Sequence, residues 1–71
     1  MPKLPAWRGP ELIRKLQRIG FEIDHTTGSH VVLRNPATHR RAIVPSHRRA
    51  ISRGTIASML REAGIDWRDL L

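Results

Sequence analysis

The residues best suited to chemistry in this chain are its four histidines, His25, His30, His39 and His47. An imidazole titrates near pH 6.5, so it can accept or donate a proton at neutral pH. RNA can be cut without a metal when a base takes the proton of a ribose 2′-hydroxyl and that oxygen attacks the adjacent phosphorus. An acid then protonates the leaving 5′-oxygen, and cations stabilise the charge on the phosphoryl oxygens.

The segment Gly28-Ser29-His30 is the best candidate site in the sequence. Glycine lets the backbone turn and approach a ligand closely, and the histidine then stands at the start of a predicted strand. The alternative is a histidine that merely tolerates a strand edge. His47 follows Pro45 in a basic connector and could be a second acid or base, a phosphate ligand or a structural residue.

The roles of the other histidines depend on the strand register. His39 is predicted to lie in a solvated hairpin turn. If the loop over residues 26–29 has even length, His25 lies across from His30 on the same face. If its length is odd, Asp24 lies there and could orient the imidazole as a carboxylate does in a catalytic triad. The sequence leaves both alternatives open.

Other common kinds of site have no support in the sequence. No two histidines are spaced as a helical metal-binding pair, and the chain has no cysteine, so we expect neither a metal nor a cofactor. Ser29 and Ser46 precede histidines, but consecutive residues on a strand point to opposite faces. A serine nucleophile is therefore not expected.

The charge of the chain indicates a polyanionic partner. Thirteen Lys and Arg residues, eleven of them Arg, outnumber six Asp and Glu, which gives a net charge of +7. Because arginine binds phosphate through two parallel hydrogen bonds, nucleic acid is the favoured partner. The alternative is a charge that only keeps the protein soluble. We expect contacts with phosphate or with an acidic protein from the arginines of the second hairpin and the connector: Arg34, Arg40, Arg41, Arg48, Arg49 and Arg53. A solvated helix face is expected for Arg14, Lys15 and Arg18.

Hydrophobic periodicity predicts two helices and three strands. The first helix is expected to start at Gly9-Pro10-Glu11 and to end at Gly20. Strands are expected over Phe21–Asp24, His30–Arg34 and Arg41–Val44. A second helix should be capped by Ser52 or Thr55 and end at Gly64, and a last turn should start at Asp66. Proline at a first helical position and glycine just past the last one are typical helix boundaries.

These elements predict a single α+β domain over residues 1–71, with residues 1–8 as a flexible tail. Two helices should cover one face of a three-stranded antiparallel sheet and leave the other face open. This α-β-β-β-α order matches the double-stranded-RNA-binding fold. No apolar run is long enough for a membrane span or a signal peptide, so we expect a cytoplasmic protein without a membrane partner.

Several short segments, in order and at the right spacing, resemble the HicA toxin family. They are Gly20-Phe21, Gly28-Ser29-His30-Val31-Val32-Leu33, Val44-Pro45-Ser46-His47, Arg53-Gly54-Thr55-Ile56 and Leu60-Arg61-Glu62-Ala63-Gly64-Ile65. The resemblance implies the fold above and a metal-independent endoribonuclease that cleaves mRNA, the toxin of a type II toxin–antitoxin pair. It also implies His30 as the catalytic residue and a HicB-type antitoxin as the partner.

The chain departs from the family in one respect. Many members carry an aromatic residue soon after the motif histidine, where this chain has only Val31, Val32 and Leu33. RNA recognition should therefore depend on arginine and phosphate rather than on base stacking. Two alternatives remain: an RNA-binding module without chemistry, and a degenerate member whose basic face serves only its partner. An antitoxin is expected to cover the His30 face with an acidic surface.

Overall fold

The computed structural model describes residues 4–46 and 49–71. Its elements are helix α1 (Gly9–Arg18), strands β1 (Glu22–Thr27), β2 (His30–Arg34) and β3 (Arg41–Pro45), helix α2 (Arg53–Ala63) and a C-terminal 3-10 turn (Trp67–Leu70). The predicted α-β-β-β-α order is confirmed. None of the helices in the described ranges has the length and apolar character that a membrane span requires.

Both helices end where glycine was expected to end them. At the end of α1 the Phe21 amide donates to the Leu16 carbonyl at 3.0 Å, across Gly20 with a φ of +107°. This is the Schellman arrangement, in which a glycine at positive φ lets the chain turn back on the last helical carbonyls. Gly64, with a φ of +71°, ends α2 in the same way. Phe21 then enters the core, only 3% exposed, and anchors the start of the sheet.

The three strands form one antiparallel sheet in the order β1-β2-β3, so the central strand is β2. Strands β1 and β2 are joined by the two-residue loop Gly28-Ser29, and Thr27 pairs with His30 across it. Strand β1 was predicted to end at Asp24, but it continues to Thr27 because its last residues pair with β2. The register shifts between Ile23 and His25, where β1 carries a bulge.

The helices cover one face of the sheet, as predicted, but they cover it unevenly. Strands β2 and β3 send alternate residues into the core. Strand β1 lies at the uncovered edge, and all six of its residues are exposed. Ile23 pairs with the core residue Leu33 but is therefore 49% exposed. The buried core consists of Trp7, Leu12, Leu16, Phe21, Val31, Leu33, Ala42, Val44, Ile51, Ile56, Met59, Leu60, Ala63 and Leu70.

The N-terminal segment differs from the flexible tail that was expected over residues 1–8. The part that the structure describes, 4–8, packs against the domain, and Trp7 is only 6% exposed. The Ile51 amide donates to the Trp7 carbonyl at 2.9 Å. Lys15, expected on a solvated face, places its Nζ 5.1 Å from the centre of the Trp7 ring. Burial of the large indole offsets the conformational entropy that is lost when this proline-rich segment becomes ordered.

Candidate functional site on the open sheet face

The face of the sheet opposite the helices is the candidate site. On β2 and β3 the side chains of Val31, Leu33 and Val44 enter the core, so their neighbours along each strand point away from the helices. We call this surface the open face. The strand pairing assigns to it Glu22, His25 and Thr27 from β1, His30, Val32 and Arg34 from β2, and Arg41, Ile43 and Pro45 from β3.

His30 is the first residue of the central strand and is exposed on the open face. Its backbone is held on both sides, because it pairs with Thr27 of β1 and with Pro45 of β3. The preceding turn depends on Gly28, whose φ of +41° is a conformation that other residues rarely adopt. A Cβ at Gly28 would meet nothing within 4 Å, so the backbone conformation rather than space requires glycine there.

Ser29 is positioned to orient the His30 ring. Its Oγ lies 3.2 Å from His30 Nδ1, within hydrogen-bonding distance. The expectation that these neighbours point to opposite faces is wrong, because Ser29 lies in the turn rather than on the strand. The Ser46 amide donates to the Ser29 carbonyl at 2.8 Å and ties the turn to the end of β3. Among the described residues no other side chain or backbone group makes a hydrogen bond with the His30 ring.

The strand register decides between the two alternatives: His25, and not Asp24, lies on the same face as His30. Thr27 is the direct partner of His30, while His25 pairs with Val32 and is thus a diagonal neighbour of His30 on the open face. Asp24 occupies the bulge, and its Oδ2 lies 2.7 Å from His25 Nδ1. The carboxylate therefore contacts His25, not His30. This pair could not be predicted, because no residue pattern marks the bulge.

Two of the predicted arginines face each other across the open face. Arg34 of β2 and Arg41 of β3 are cross-strand partners, and like charges in such positions destabilise a sheet unless an anion lies between them. Glu22 pairs with Arg34 on the other side. Arg34 Nη2 donates to His39 Nδ1 at 2.8 Å, so the histidine expected in a solvated turn is exposed but holds this guanidinium.

Two other arginines have structural partners. Arg53 Nε donates to the Leu4 carbonyl at 2.7 Å and fastens the N-terminal segment to the start of α2. Arg40 Nη1 donates to the Glu62 carbonyl at 3.5 Å, at the C-terminal end of α2. A cation is favourable at that end of a helix because of the helix dipole. These contacts give both side chains a role in holding the fold.

The remaining predicted residues belong to the connector between β3 and α2. Arg49 is exposed there, a few residues beyond Pro45, the partner of His30. His47 and Arg48 lie outside the described residues. Their contributions to the site stay predictions from the sequence.

The open face has an apolar centre but no aromatic residue. Val32 and Ile43 are cross-strand partners, 8% and 47% exposed respectively. The three aromatic residues of the chain lie elsewhere: Trp7 and Phe21 are in the core, and the half-buried Trp67 packs against it. This face therefore offers no Phe, Tyr or Trp ring for stacking bases. Its histidines lie toward the end marked by Thr27, and Arg34 and Arg41 lie with Glu22 at the other end.

Metal-binding groups are dispersed over the part of the chain that the structure describes. No three His, Cys, Asp or Glu side chains come together there in a way that could hold a metal ion. The Asp24–His25 pair supplies only two such groups.

Comparison with known proteins identifies one family. The family described as the HicA toxin of bacterial toxin–antitoxin systems matches residues 9–65 of the 71-residue chain. The match runs from the start of α1 through the sheet to the end of α2 and includes Gly28-Ser29-His30. A comparison with curated proteins gives no match.

Proposed function

Because the chain belongs to the HicA family of toxins from bacterial toxin–antitoxin systems, we propose that it is an endoribonuclease. The proposed reaction is cleavage of mRNA in the cytoplasm by histidine acid–base catalysis that needs no metal. We further propose that a HicB-type antitoxin neutralises it.

The observation that carries this proposal is the position of His30. It stands at the start of the central strand, on the face that the helices leave uncovered, with Ser29 against Nδ1. A histidine held in this way presents Nε2 in a fixed direction to a ligand lying on the sheet. Arg34 follows four residues later on the same face, about 13 Å along the strand, within reach of the same RNA chain.

The reaction consists of one displacement at phosphorus with two proton transfers. A base removes the proton of a ribose 2′-hydroxyl, the 2′-oxygen forms a bond to the adjacent phosphorus, and the bond from phosphorus to the 5′-oxygen breaks. An acid gives its proton to that 5′-oxygen, which leaves a 2′,3′-cyclic phosphate and a 5′-hydroxyl. One positioned acid or base contributes about 10²- to 10⁴-fold in rate, and we assign one of these transfers to His30.

Arg34 and Arg41 would bind the RNA rather than carry the chemistry. They lie at the end of the open face away from His30, so they suit a phosphate one or more nucleotides from the scissile bond. A phosphate bound between the two guanidinium groups offsets the repulsion between their charges. Binding through phosphates fixes the position of the RNA without selecting its sequence.

The proposed antitoxin would cover the open face with an acidic surface. The toxin carries a net charge of +7, and opposite charge accelerates association and excludes other partners. A partner seated there would cover His30 and the arginine pair together. Solvent-accessible His30 in the purified complex would contradict this part of the proposal.

The direct test compares the purified wild type with His30→Ala on a single-stranded RNA. We expect the wild type to cleave the RNA in the presence of EDTA and to leave cyclic phosphate ends. The variant should lose about 10²- to 10⁴-fold of the rate. It should bind RNA with unchanged affinity and melt at the same temperature, because His30 is exposed.

Two results would contradict this proposal. If wild type and His30→Ala bind RNA equally and neither cleaves it, the chain is an RNA-binding module without chemistry. If both cleave it equally, His30 is not the catalytic residue.

A further inference from the structure

The Asp24–His25 pair lies beside the proposed site and has no part in the chemistry assigned to His30. His25 Nδ1 and Asp24 Oδ2 are 2.7 Å apart, and each side chain is 52% exposed. Consecutive side chains on a regular strand point to opposite faces and cannot make such a contact. The bulge between Ile23 and His25 permits it, since a bulge turns one side chain out of the normal alternation.

The contact fixes the tautomer of His25. An ionised carboxylate only accepts hydrogen bonds, so the neutral imidazole must carry its proton on Nδ1 and donate it to Asp24. The lone pair of Nε2 is then free, which is the form of a general base. His30 lacks this constraint, because the Ser29 hydroxyl can either donate or accept.

The strand register places His25 close enough to His30 for both side chains to contact the same RNA substrate. His25 pairs with Val32, so it is the diagonal neighbour of His30 on the open face, at a backbone separation of about 7–8 Å. In an in-line displacement the attacking 2′-oxygen and the leaving 5′-oxygen lie on opposite sides of phosphorus. A single imidazole cannot reach both oxygens at once, whereas two imidazoles at this spacing can lie on either side of one phosphate.

We propose that His25 is a second catalytic residue, the general base that deprotonates the 2′-hydroxyl, and that Asp24 is its positioning residue. This inference rests on the proposed ribonuclease activity. His30, as the imidazolium, then gives its Nε2 proton to the 5′-oxygen as the bond from phosphorus to that oxygen breaks. The proton that His25 gains and the proton that His30 loses balance over the reaction.

The kinetic test uses wild type, His25→Ala, Asp24→Ala and His30→Ala on one RNA substrate. His25→Ala should lose about 10²- to 10⁴-fold in rate with unchanged RNA affinity. Asp24→Ala should lose about tenfold, the share of a hydrogen bond to a charged group. The bell-shaped dependence of rate on pH should lose its acidic limb in His25→Ala, an effect that structural damage alone would not produce. Thr26→Ala, on the same edge strand but on its other face, is the matched control and should keep both limbs.

A substrate whose leaving 5′-oxygen is replaced by sulfur separates the two histidines. A thiolate leaves without a proton, so this substrate should restore much of the rate of His30→Ala and none of the rate of His25→Ala. Restoration of the His25→Ala rate would overturn the assignment of the base.

The tautomer is measurable without any activity. Imidazole ¹⁵N chemical shifts of the wild type at pH 8 should show His25 protonated on Nδ1, and Asp24→Ala should lose that preference. A His25→Ala protein that cleaves within about threefold of the wild type, beside an inactive His30→Ala, overturns only this inference. A wild type that fails to cleave RNA rejects the proposed function itself, and with it the role of His25.

Discussion

At the scale of single residues, the site depends on three neighbours that each do a different task. Gly28 turns the chain at a φ of +41°, Ser29 contacts Nδ1 of the histidine, and His30 presents Nε2 on the open face. The sequence predicted this segment as the candidate site because the residue types and their order suffice to indicate it. The Asp24–His25 contact could not be predicted, because it exists only through the bulge in the strand pairing.

The hydroxyl of Ser29 should matter to the rate. Ser29→Ala removes the contact with Nδ1, and the loss of one hydrogen bond, about 1 kcal/mol, predicts a decrease of about fivefold in the cleavage rate. Ser29→Thr keeps a hydroxyl and should retain most of the rate. Initial rates of RNA cleavage under single-turnover conditions measure both. Equal rates for Ser29→Ala and wild type would show that the hydroxyl does not orient His30.

At the scale of the elements, local signals predicted most boundaries. Strand β2 has the predicted bounds His30–Arg34, and α2 begins after Ser52, one of the two expected caps. The extension of β1 was missed, because its last residues are polar and form a strand only by pairing with β2. The burial of Trp7 was missed for a similar reason, since its partners lie far along the chain.

The cap of α2 gives a prediction about stability. The Ser52 side chain accepts a hydrogen bond from the Thr55 amide at 3.3 Å. Ser52→Ala should lower the free energy of unfolding by about 1 kcal/mol, which lowers Tm by about 4–8 °C in a domain of this size. Ser58→Ala, at an exposed position inside the same helix, is the control and should leave Tm unchanged or slightly raised. Thermal unfolding followed by circular dichroism decides, and a Tm for Ser52→Ala equal to that of wild type would contradict the assigned cap.

At the scale of the whole molecule, the arginines fall into two groups with different roles. Arg40 and Arg53 hold the fold through backbone carbonyls, while Arg34 and Arg41 lie together on the open face. The sequence predicted a basic surface from composition, but it could not separate these groups. Which arginines hold the fold depends on contacts between distant segments, such as that between Arg53 and Leu4.

The arginine pair predicts how RNA binding responds to salt. Each phosphate contact with single-stranded RNA contributes about 0.7 to the slope of log affinity against log salt concentration. Because the two guanidinium groups are proposed to bind one phosphate, the double variant Arg34→Gln/Arg41→Gln should weaken binding and reduce that slope by about 0.7. Arg14→Gln/Arg18→Gln removes the same charge from the exposed side of α1 and is the matched control, expected to keep most of the slope. Equal slopes for the two double variants would show only a general effect of net charge.

The measurement that tests the central claim most directly is paired expression of wild type and His30→Ala in bacterial cells from a tightly repressed promoter. Growth and mRNA integrity are followed together after induction. The account predicts that only the wild type stops growth, and that its mRNA is fragmented while the variant's mRNA stays intact at equal protein levels. Two harmless proteins, or two equally toxic ones, would contradict a toxin that acts by RNA cleavage through His30.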